Sequence, residues 1–324
     1  MPLDELSIID RFFRPLAGEG AYGLLDDAGS IAVPADCDLV VTTDMIAEGV
    51  HFLPGDPPET IAKKALRVNI SDLAAKGAEP VTYVLSLGVS PEIDERWLEA
   101  FAAGLRSDQD AFGISLLGGD TIGVLDGVVA SITAFGFAPK GRMVHRMGGS
   151  PGDGLFVTGT FGRSTVGLAI LKQEPGPWDA LSAAGRAAFV DHYRVPEPRV
   201  ALAPVLAEFA SAAMDVSDGL AGDCDKLASA SGCSASIDAD RVPFALSPGN
   251  DPQLAARFLT GGEDFEILAA ISPAKERMFE AAAEAVGVPV ARIGALTDGN
   301  APCNVLFKGA PLRLSRRAFV HGAG

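Results

Sequence analysis

Strand-like and helix-like segments alternate through both halves of this chain, and the alternation restricts its fold more than any other feature. The β-branched runs 38–44 (DLVVTTD) and 81–89 (VTYVLSLGV) are typical of strands, and apolar residues at helical spacing over 61–76 indicate a helix between them. The second half has the same mixture, with strands expected over 155–158, 236–238, 265–270 and 290–293. Because 324 residues exceed one typical core, we expect two domains of the α/β (α+β) class.

A basic, glycine-rich stretch without periodicity, residues 139–153, separates the two halves. It predicts domains over residues 1–147 and 148–324. In the first domain, Ser90–Pro91 followed by a helical apolar stripe predicts a helix that begins there and ends at Gly113. In the second, we expect a helix over residues 199–212.

The charge balance excludes several classes of partner. Lys+Arg 26 against Asp+Glu 42 gives a net charge of −16, and such a surface repels a phosphate backbone, so we expect no nucleic-acid partner. No basic-then-apolar leader and no membrane-length apolar run is visible, and the four cysteines form no CxxC pair. These features predict a reduced, cytoplasmic protein without a membrane partner.

Three familiar functional motifs are either absent or lack a feature that their function requires. The glycines of 18–23 (GEGAYG) lack the preceding strand of a dinucleotide-binding fold, so we expect only a glycine loop there. In 148–152 (GGSPG), Pro151 follows the serine and has no N–H to donate to an oxyanion, which excludes a serine hydrolase. No Gly-Lys pair is present, so the chain has no P-loop.

Acidic residues next to Gly, Ser or Thr recur where apolar runs end. Helix caps and turns are one interpretation of each; a shared site is the other, because ligands of α/β folds bind at strand ends. Converging carboxylates would repel one another by about 4 kcal/mol per pair at 4 Å, which hard cations such as Mg²⁺ relieve. Mg²⁺ on carboxylates commonly binds polyphosphate, which favours a metal-dependent phosphate enzyme. The residues concerned are Asp26, Asp27, Asp44, Asp72, Asp120, Asp215, Asp218, Glu263 and Asp264.

Taken in order, the motifs resemble those of the thiamine-monophosphate kinase family. That family belongs to an ATP-dependent superfamily with aminoimidazole ribonucleotide synthetase and selenophosphate synthetase. The matching blocks span almost the whole chain: 26–28 (DDA), 42–44 (TTD), 48–52 (EGVHF), 69–78 (NISDLAAKGA), 118–121 (GGDT), 214–220 (MDVSDGL) and 261–266 (GGEDFE).

The resemblance implies an N-terminal sheet-and-helix domain that forms a barrel with a second subunit of a homodimer. It also implies a C-terminal α/β sandwich domain that closes over the nucleotide. The implied substrates are ATP and thiamine monophosphate, joined by in-line, Mg²⁺-assisted phosphoryl transfer with no protein nucleophile or general base.

The resemblance further implies roles for individual residues. Several Mg²⁺ ions would be held by Asp27, Thr42, Thr43, Asp44, Asp72, Asp120, Asp215 and Asp218. ATP would contact Gly119, Asp120, Arg146 and Ser217, and the substrate would contact His51, Glu263 and Phe319.

The chain departs from the family pattern at two places, and other functions stay open. Leu25 replaces the usual glycine before the first acidic pair, and of the pattern after Phe319 only His321 is present. Alternatives are another reaction of the superfamily, namely an aminoimidazole ribonucleotide synthetase-like cyclisation or a selenophosphate synthetase-like activation, or an inactive nucleotide-binding protein. The first cysteine, Cys37, stands outside the reactive N-terminal loop of selenophosphate synthetases, which disfavours that activation.

Overall fold

Two β-sheets, each in its own unit of the chain, organise residues 5–319, which are the residues that the computed structural model describes. Unit 1 comprises residues 5–73 and 78–141, and unit 2 comprises residues 74–77 and 142–319. Both units combine strands with helices, which confirms the predicted fold class. The barrel between subunits and the domain boundary at 147/148 stay predictions.

Unit 1 contains a four-stranded sheet in the order β1-β4-β2-β3. Strands β2 and β3 are parallel, and the other two neighbouring pairs are antiparallel. Its strands are β1 Cys37–Ala47, β2 Glu79–Val89, β3 Ser115–Gly123 and β4 Val128–Pro139. Its helices are α1 Glu5–Ile8, α2 Pro58–Ala75, whose end lies in unit 2, and α3 Glu95–Phe112; a π-helix (Ile9–Phe13) and 3₁₀ helices (Arg14–Leu16 and Glu19–Leu24) follow α1.

One face of this sheet is buried by α2 and α3. Alternate residues Tyr83, Leu85 and Leu87 of β2 are buried, as the two-residue period of a strand requires. Gln109 of α3 donates to the Tyr83 hydroxyl over 3.2 Å. Gly104 lets α3 approach α2, because a Cβ there would lie 2.4 Å from the carbonyl oxygen of Glu59.

The start of α3 differs from the prediction, and its end agrees. Asp94 caps the helix by accepting the Trp97 N–H over 2.9 Å, so the predicted beginning at Ser90–Pro91 is wrong. The Ser90 N–H instead donates to Gly127 over 3.0 Å, at the end of β2. Gly113 ends the helix in the left-handed conformation, with φ 66°, as the sequence predicts.

Unit 2 contains a seven-stranded sheet in the order β11-β10-β7-β9-β5-β8-β6, in which only β10 and β7 pair in parallel. Its strands are β5 Gly154–Thr158, β6 Ala210–Val216, β7 Ser234–Asp238, β8 Glu266–Ile271, β9 Val290–Thr297, β10 Asn304–Phe307 and β11 Ala310–Pro311. Its helices are α4 Arg163–Leu171, α5 Ala183–Arg194, α6 Ala203–Phe209, α7 Leu220–Ala230, α8 Pro252–Thr260 and α9 Glu276–Ala285, with 3₁₀ helices at Pro177–Ala180, Val200–Leu202 and Ala239–Arg241.

Helices cover both faces of this second sheet. Leu268 and Ala270 of β8 pack in a core with residues of α7 and α8. Ile267 and Ala269, which point the other way along the same strand, pack with residues of α6 and α9. Unit 2 is therefore the α/β sandwich that the resemblance implies.

The helix expected over residues 199–212 is wrong at both ends. A 3₁₀ helix precedes α6, and the chain then turns at Ala210 into β6, which pairs with β8. Alanines favour a helix by propensity, and here pairing with β8 overrides that preference. Within residues 5–319, no helix is both long and apolar enough to span a bilayer.

Candidate active site

A cavity of about 660 Å³ in unit 1 lies between the N-terminal segment and strands β2 and β3. Asp27 lines it from the N-terminal segment, and Gly119 and Asp120 line it from β3. Gly119 allows the two strands to pair closely, because a Cβ there would lie 1.9 Å from the carbonyl oxygen of Leu85. Asp27 and Asp120 have no ion-pair partner among residues 5–319, so the cavity presents negative charge suited to a cation.

A second group of side chains whose oxygen atoms could bind a metal lies where β1 meets α2. The Thr42 hydroxyl donates to the Asp72 carboxylate over 2.6 Å, and the Asp44 N–H donates to the side-chain oxygen of Asn69 over 2.9 Å. Thr43, on the opposite face of β1, accepts the hydroxyl of Thr133 over 3.1 Å. The side chains of α2 thus hold the C-terminal half of β1 in place.

The Asp27–Asp120 group and the Thr42–Asp72 group of unit 1 lie at opposite edges of its sheet, beside edge strands β3 and β1. Asp120 pairs with Ser86, Ser86 with Ser131, and Ser131 with Met45, the residue after Asp44. Three strand spacings therefore separate the backbones of Asp44 and Asp120, which is about 14 Å. Within one copy of the chain, the structure brings Asp27 to Asp120 and Thr42 to Asp72, but it does not bring Asp44 to Asp120.

His51 lies in the turn after β1 with its ring oriented by the backbone. The Ala47 N–H donates to Nδ1 over 3.1 Å, so that nitrogen is an acceptor and the neutral ring carries its proton on Nε2. The ammonium of Lys64, a buried residue of α2, donates to the His51 carbonyl oxygen over 2.7 Å. Sequence reasoning missed Lys64, because a lysine on a helix is usually exposed.

The loop between β6 and α7 in unit 2 brings five predicted residues together. It carries Ser217 and Asp218 directly after β6, in which the predicted metal ligand Asp215 is buried near the end of the strand. The Glu263 N–H donates to the Ser217 carbonyl oxygen over 2.7 Å, and the Phe319 N–H donates to the Asp218 carbonyl oxygen over 2.9 Å. The positions assigned to nucleotide, metal and substrate are therefore neighbours in this unit; His321 lies outside the described residues.

Asp218 is held by a lysine that sequence reasoning missed. The Lys226 ammonium lies 2.6 Å from the Asp218 carboxylate and 2.7 Å from that of Asp223, a buried residue of α7. Burial raises the pKa of Asp223, and the ammonium beside it only partly offsets that effect. Burial by itself would lower the pKa of Lys226, but its hydrogen bonds with the two carboxylates raise it. The pair of carboxylates is thus a position for a cation.

Arg146 lies beside β6. The neighbouring carbonyl oxygen of His145 accepts the Ala213 N–H over 2.9 Å, which attaches this segment to the strand. The side chain of Arg146 is exposed, and it has no ion-pair partner among the described residues. It can therefore offer a full positive charge to an anion.

Two further acids of unit 2 are buried: Asp264, which the sequence indicated only as one of the acids beside glycine, and Glu266, which sequence reasoning missed. Asp264 is 1% exposed, and burial raises its pKa to about 7 although the Ser164 and Gly162 N–H groups donate to it. Glu266 forms a two-point ion pair with Arg199, at 2.6 and 2.7 Å. The block 261–266 (GGEDFE) could have signalled both, since its three acids lie within four residues and the first of them is assigned to substrate.

The acidic side chains of the described residues do not by themselves form a complete metal site. Among the described residues, no three His, Cys, Asp or Glu side chains surround a common point as metal ligands. The convergence of acids expected from the sequence stays a prediction.

Comparison with known proteins identifies the family. The model of the AIR synthase related protein N-terminal domain matches residues 25–138, and that of the C-terminal domain matches residues 150–302. The thiamine-monophosphate kinase of Caulobacter vibrioides is 40% identical over 333 aligned positions, covering 99% of this chain and 92% of the relative. The chain belongs to the thiamine-monophosphate kinase family.

Solved structures agree with this membership. The thiamine-monophosphate kinase of Stenotrophomonas maltophilia is 33% identical, with a TM-score of 0.82 over 95% of this chain and 98% of that one. A structure of AaThiL complexed with AMPPCP and TMP is 27% identical, with a TM-score of 0.74 over 99% of both chains. The resemblance seen in the motifs is therefore confirmed along nearly the whole length.

Proposed function

We propose that this chain transfers the γ-phosphoryl group of ATP to thiamine monophosphate, giving thiamine diphosphate and ADP. The observation that carries the proposal is the 40% identity to a thiamine-monophosphate kinase across 99% of the chain. The fold shared with AaThiL complexed with AMPPCP and TMP supports a site for an ATP analogue and that phosphate ester.

The reaction requires positioning more than acid–base chemistry. An oxygen of the substrate phosphate forms the new P–O bond while the bond from the γ-phosphorus to the β–γ bridging oxygen breaks. With a second pKa near 6, that phosphate is largely ionised at neutral pH, so no general base is needed. We propose that Arg146 binds the nucleotide's phosphates and that Ser217, Gly119 and Asp120 complete the nucleotide site.

The donor sets of both units fit Mg²⁺. Mg²⁺ prefers carboxylate and other oxygen ligands together with waters, and Asp27 and Asp120 offer carboxylates that no cationic side chain within residues 5–319 neutralises. The ammonium of Lys226 on Asp218 marks a cation position in unit 2. When bound, the ions would neutralise the charge of the triphosphate. We propose as ligands Asp27, Thr42, Thr43, Asp44, Asp72, Asp120, Asp215 and Asp218.

Three residues are proposed to hold the substrate. The thiazolium ring is a cation, which a carboxylate and an aromatic face both stabilise; Glu263 and the half-exposed ring of Phe319 supply them. We propose that His51, whose ring the Ala47 N–H orients at Nδ1, contacts the substrate.

We also propose that the chain works as a homodimer in the cytoplasm. Val41 and Met45, on the sheet face of unit 1 opposite Tyr83, are 53% and 59% exposed, and Leu39 and Ile122 on the same face are also exposed. A sheet with one apolar face open is completed by a second sheet. Analytical ultracentrifugation tests this: Val41→Glu should lower the mass from that of a dimer to that of one chain, and a monomeric unmutated chain would refute it.

The function is tested by ADP release from ATP and Mg²⁺ with and without thiamine monophosphate, alongside aminoimidazole precursors. We expect stimulation by thiamine monophosphate, and stimulation by the precursors alone would instead indicate a cyclisation. Asp120→Asn should abolish turnover without unfolding the chain. The matched control is Asp126→Asn, an exposed aspartate of the β3–β4 loop, which should keep the unmutated rate.

A further inference from the structure

The segment between α8 and β8 is held in an unfavourable backbone conformation. Glu263 has φ 73° and Phe265 has φ 50°, although neither is glycine. Residues with a Cβ rarely adopt this left-handed region, so the surroundings must hold both of them there. The residue between them is the buried Asp264.

Asp264 attaches this segment to the start of α4. Its two carboxylate oxygens accept the Gly162 N–H over 2.7 Å and the Ser164 N–H over 2.9 Å. The hydroxyl of Ser164, itself buried, donates to the carbonyl oxygen of Glu263 over 2.5 Å. The first turn of α4 and the segment therefore satisfy each other's polar groups.

The opposite side of the segment is attached to the loop after β6. The Glu263 N–H donates to Ser217 over 2.7 Å, and the Phe265 N–H donates to Val216 over 3.0 Å. Gly262 permits this approach, since a Cβ there would lie 2.4 Å from the Ser217 carbonyl oxygen. Both polar backbone groups of Glu263 are thus occupied, its N–H by Ser217 and its carbonyl by Ser164.

We infer that Ser164 and Asp264 are positioning residues for substrate binding, because they fix the strained backbone from which the Glu263 side chain projects. The inference rests on the proposed function, in which Glu263 contacts thiamine monophosphate. Neither residue would touch substrate. Their effect would pass through Glu263 alone, which separates this role from a general contribution to folding.

Steady-state kinetics of Ser164→Ala test the inference. The variant removes one buried hydrogen bond and keeps the N–H that donates to Asp264. We expect KM for thiamine monophosphate to rise about 2- to 10-fold, as the loss of one such bond predicts, while kcat and KM for ATP stay within about two-fold. Ser182→Ala is the matched control: Ser182 caps α5 by accepting the Gly185 N–H over 3.1 Å, and its loss should leave both KM values unchanged.

A double-mutant cycle shows whether the effect passes through Glu263. In a Glu263→Gln background, Ser164→Ala should not raise KM for thiamine monophosphate further, because the side chain being positioned is already altered. An equal rise in both backgrounds, a parallel change in KM for ATP, or no rise at all would overturn the inference.

Asp264→Asn gives a second, independent variant should Ser164→Ala fail to fold. It keeps the shape and one acceptor, and it should raise the same KM selectively. Its control is Asp251→Asn, since Asp251 also accepts two backbone N–H groups, from Gln253 and Leu254, at the start of α8. An unmutated chain that forms no thiamine diphosphate refutes the proposed function as well, whereas an active chain with unselective variants refutes only the positioning role.

Discussion

Replacing Lys226 tests the cation position in unit 2, and the structure sets the size of the effect. Lys226→Met removes the ammonium that lies 2.6 Å from Asp218 and 2.7 Å from Asp223, of which Asp223 is buried. Each charge-assisted hydrogen bond contributes about 1.5–3 kcal/mol. Because the lysine side chain is 38% exposed, solvent screens part of that, and we expect a loss of about 2 kcal/mol in the free energy of unfolding.

The measurement is urea denaturation in EDTA and again in saturating MgCl₂. Bound Mg²⁺ would replace the missing positive charge, so the deficit of Lys226→Met should shrink when magnesium is added. Lys308→Met is the matched control, since Lys308 forms an exposed pair with Asp240 at 2.9 Å that should contribute about 0–1 kcal/mol. A Lys226→Met variant as stable as this control in EDTA, or one that magnesium does not rescue, would refute the reasoning.

Three further predictions concern stability, measured by the urea midpoint. Asp108→Leu replaces the buried carboxylate 2.7 Å from the Arg67 guanidinium by an apolar side chain, and it should lower the free energy of unfolding by about 3–5 kcal/mol. Adding Arg67→Met to that variant should restore most of the lost stability. A double variant that stays as unstable as Asp108→Leu would contradict the interpretation that the unpaired buried charge causes the loss. Gly104→Ala should cost about 1–3 kcal/mol because its Cβ meets Glu59, whereas Gly185→Ala, with 3.4 Å to its nearest atom, should stabilise α5. Burial raises the pKa of Asp264 to about 7, with Glu266 also raising it and Arg163 lowering it. Between about pH 4 and 7, Asp264 therefore keeps its proton in the folded chain, whereas in the unfolded chain it has lost that proton. Stability from this group therefore falls as pH rises through that window, and Asp264→Asn should gain relative to the unmutated chain from pH 4 to 7; a constant difference would contradict this.

Local signals predicted the elements that do not depend on distant partners. Gly113 ends α3 because its left-handed conformation suits glycine, and the β-branched run 38–44 lies within β1. The strand β6 (ASAAMDV) could not be predicted in this way, because its alanines favour a helix and only pairing with β8 makes it a strand.

The residues of the candidate site divide in the same way, into those that the local sequence indicates and those that only the fold reveals. The acids were recognisable because they stand beside Gly, Ser or Thr, and Asp27 and Asp120 indeed line one cavity. The expectation that they follow strands is wrong for Asp44, Asp120 and Asp215, which lie within β1, β3 and β6. The ion pair of Lys226 with Asp218 was not recognisable, since it depends on how α7 turns back toward the loop before it. Likewise, only the sheet order shows that Asp44 and Asp120 lie on opposite edge strands.

Transfer of radiolabel from [γ-³²P]ATP to thiamine monophosphate tests the central claim most directly. If the chain joins the two substrates as proposed, the label should appear in thiamine diphosphate, in a one-to-one ratio with the ADP formed. Label found only in inorganic phosphate, with thiamine monophosphate recovered unchanged, would contradict the account.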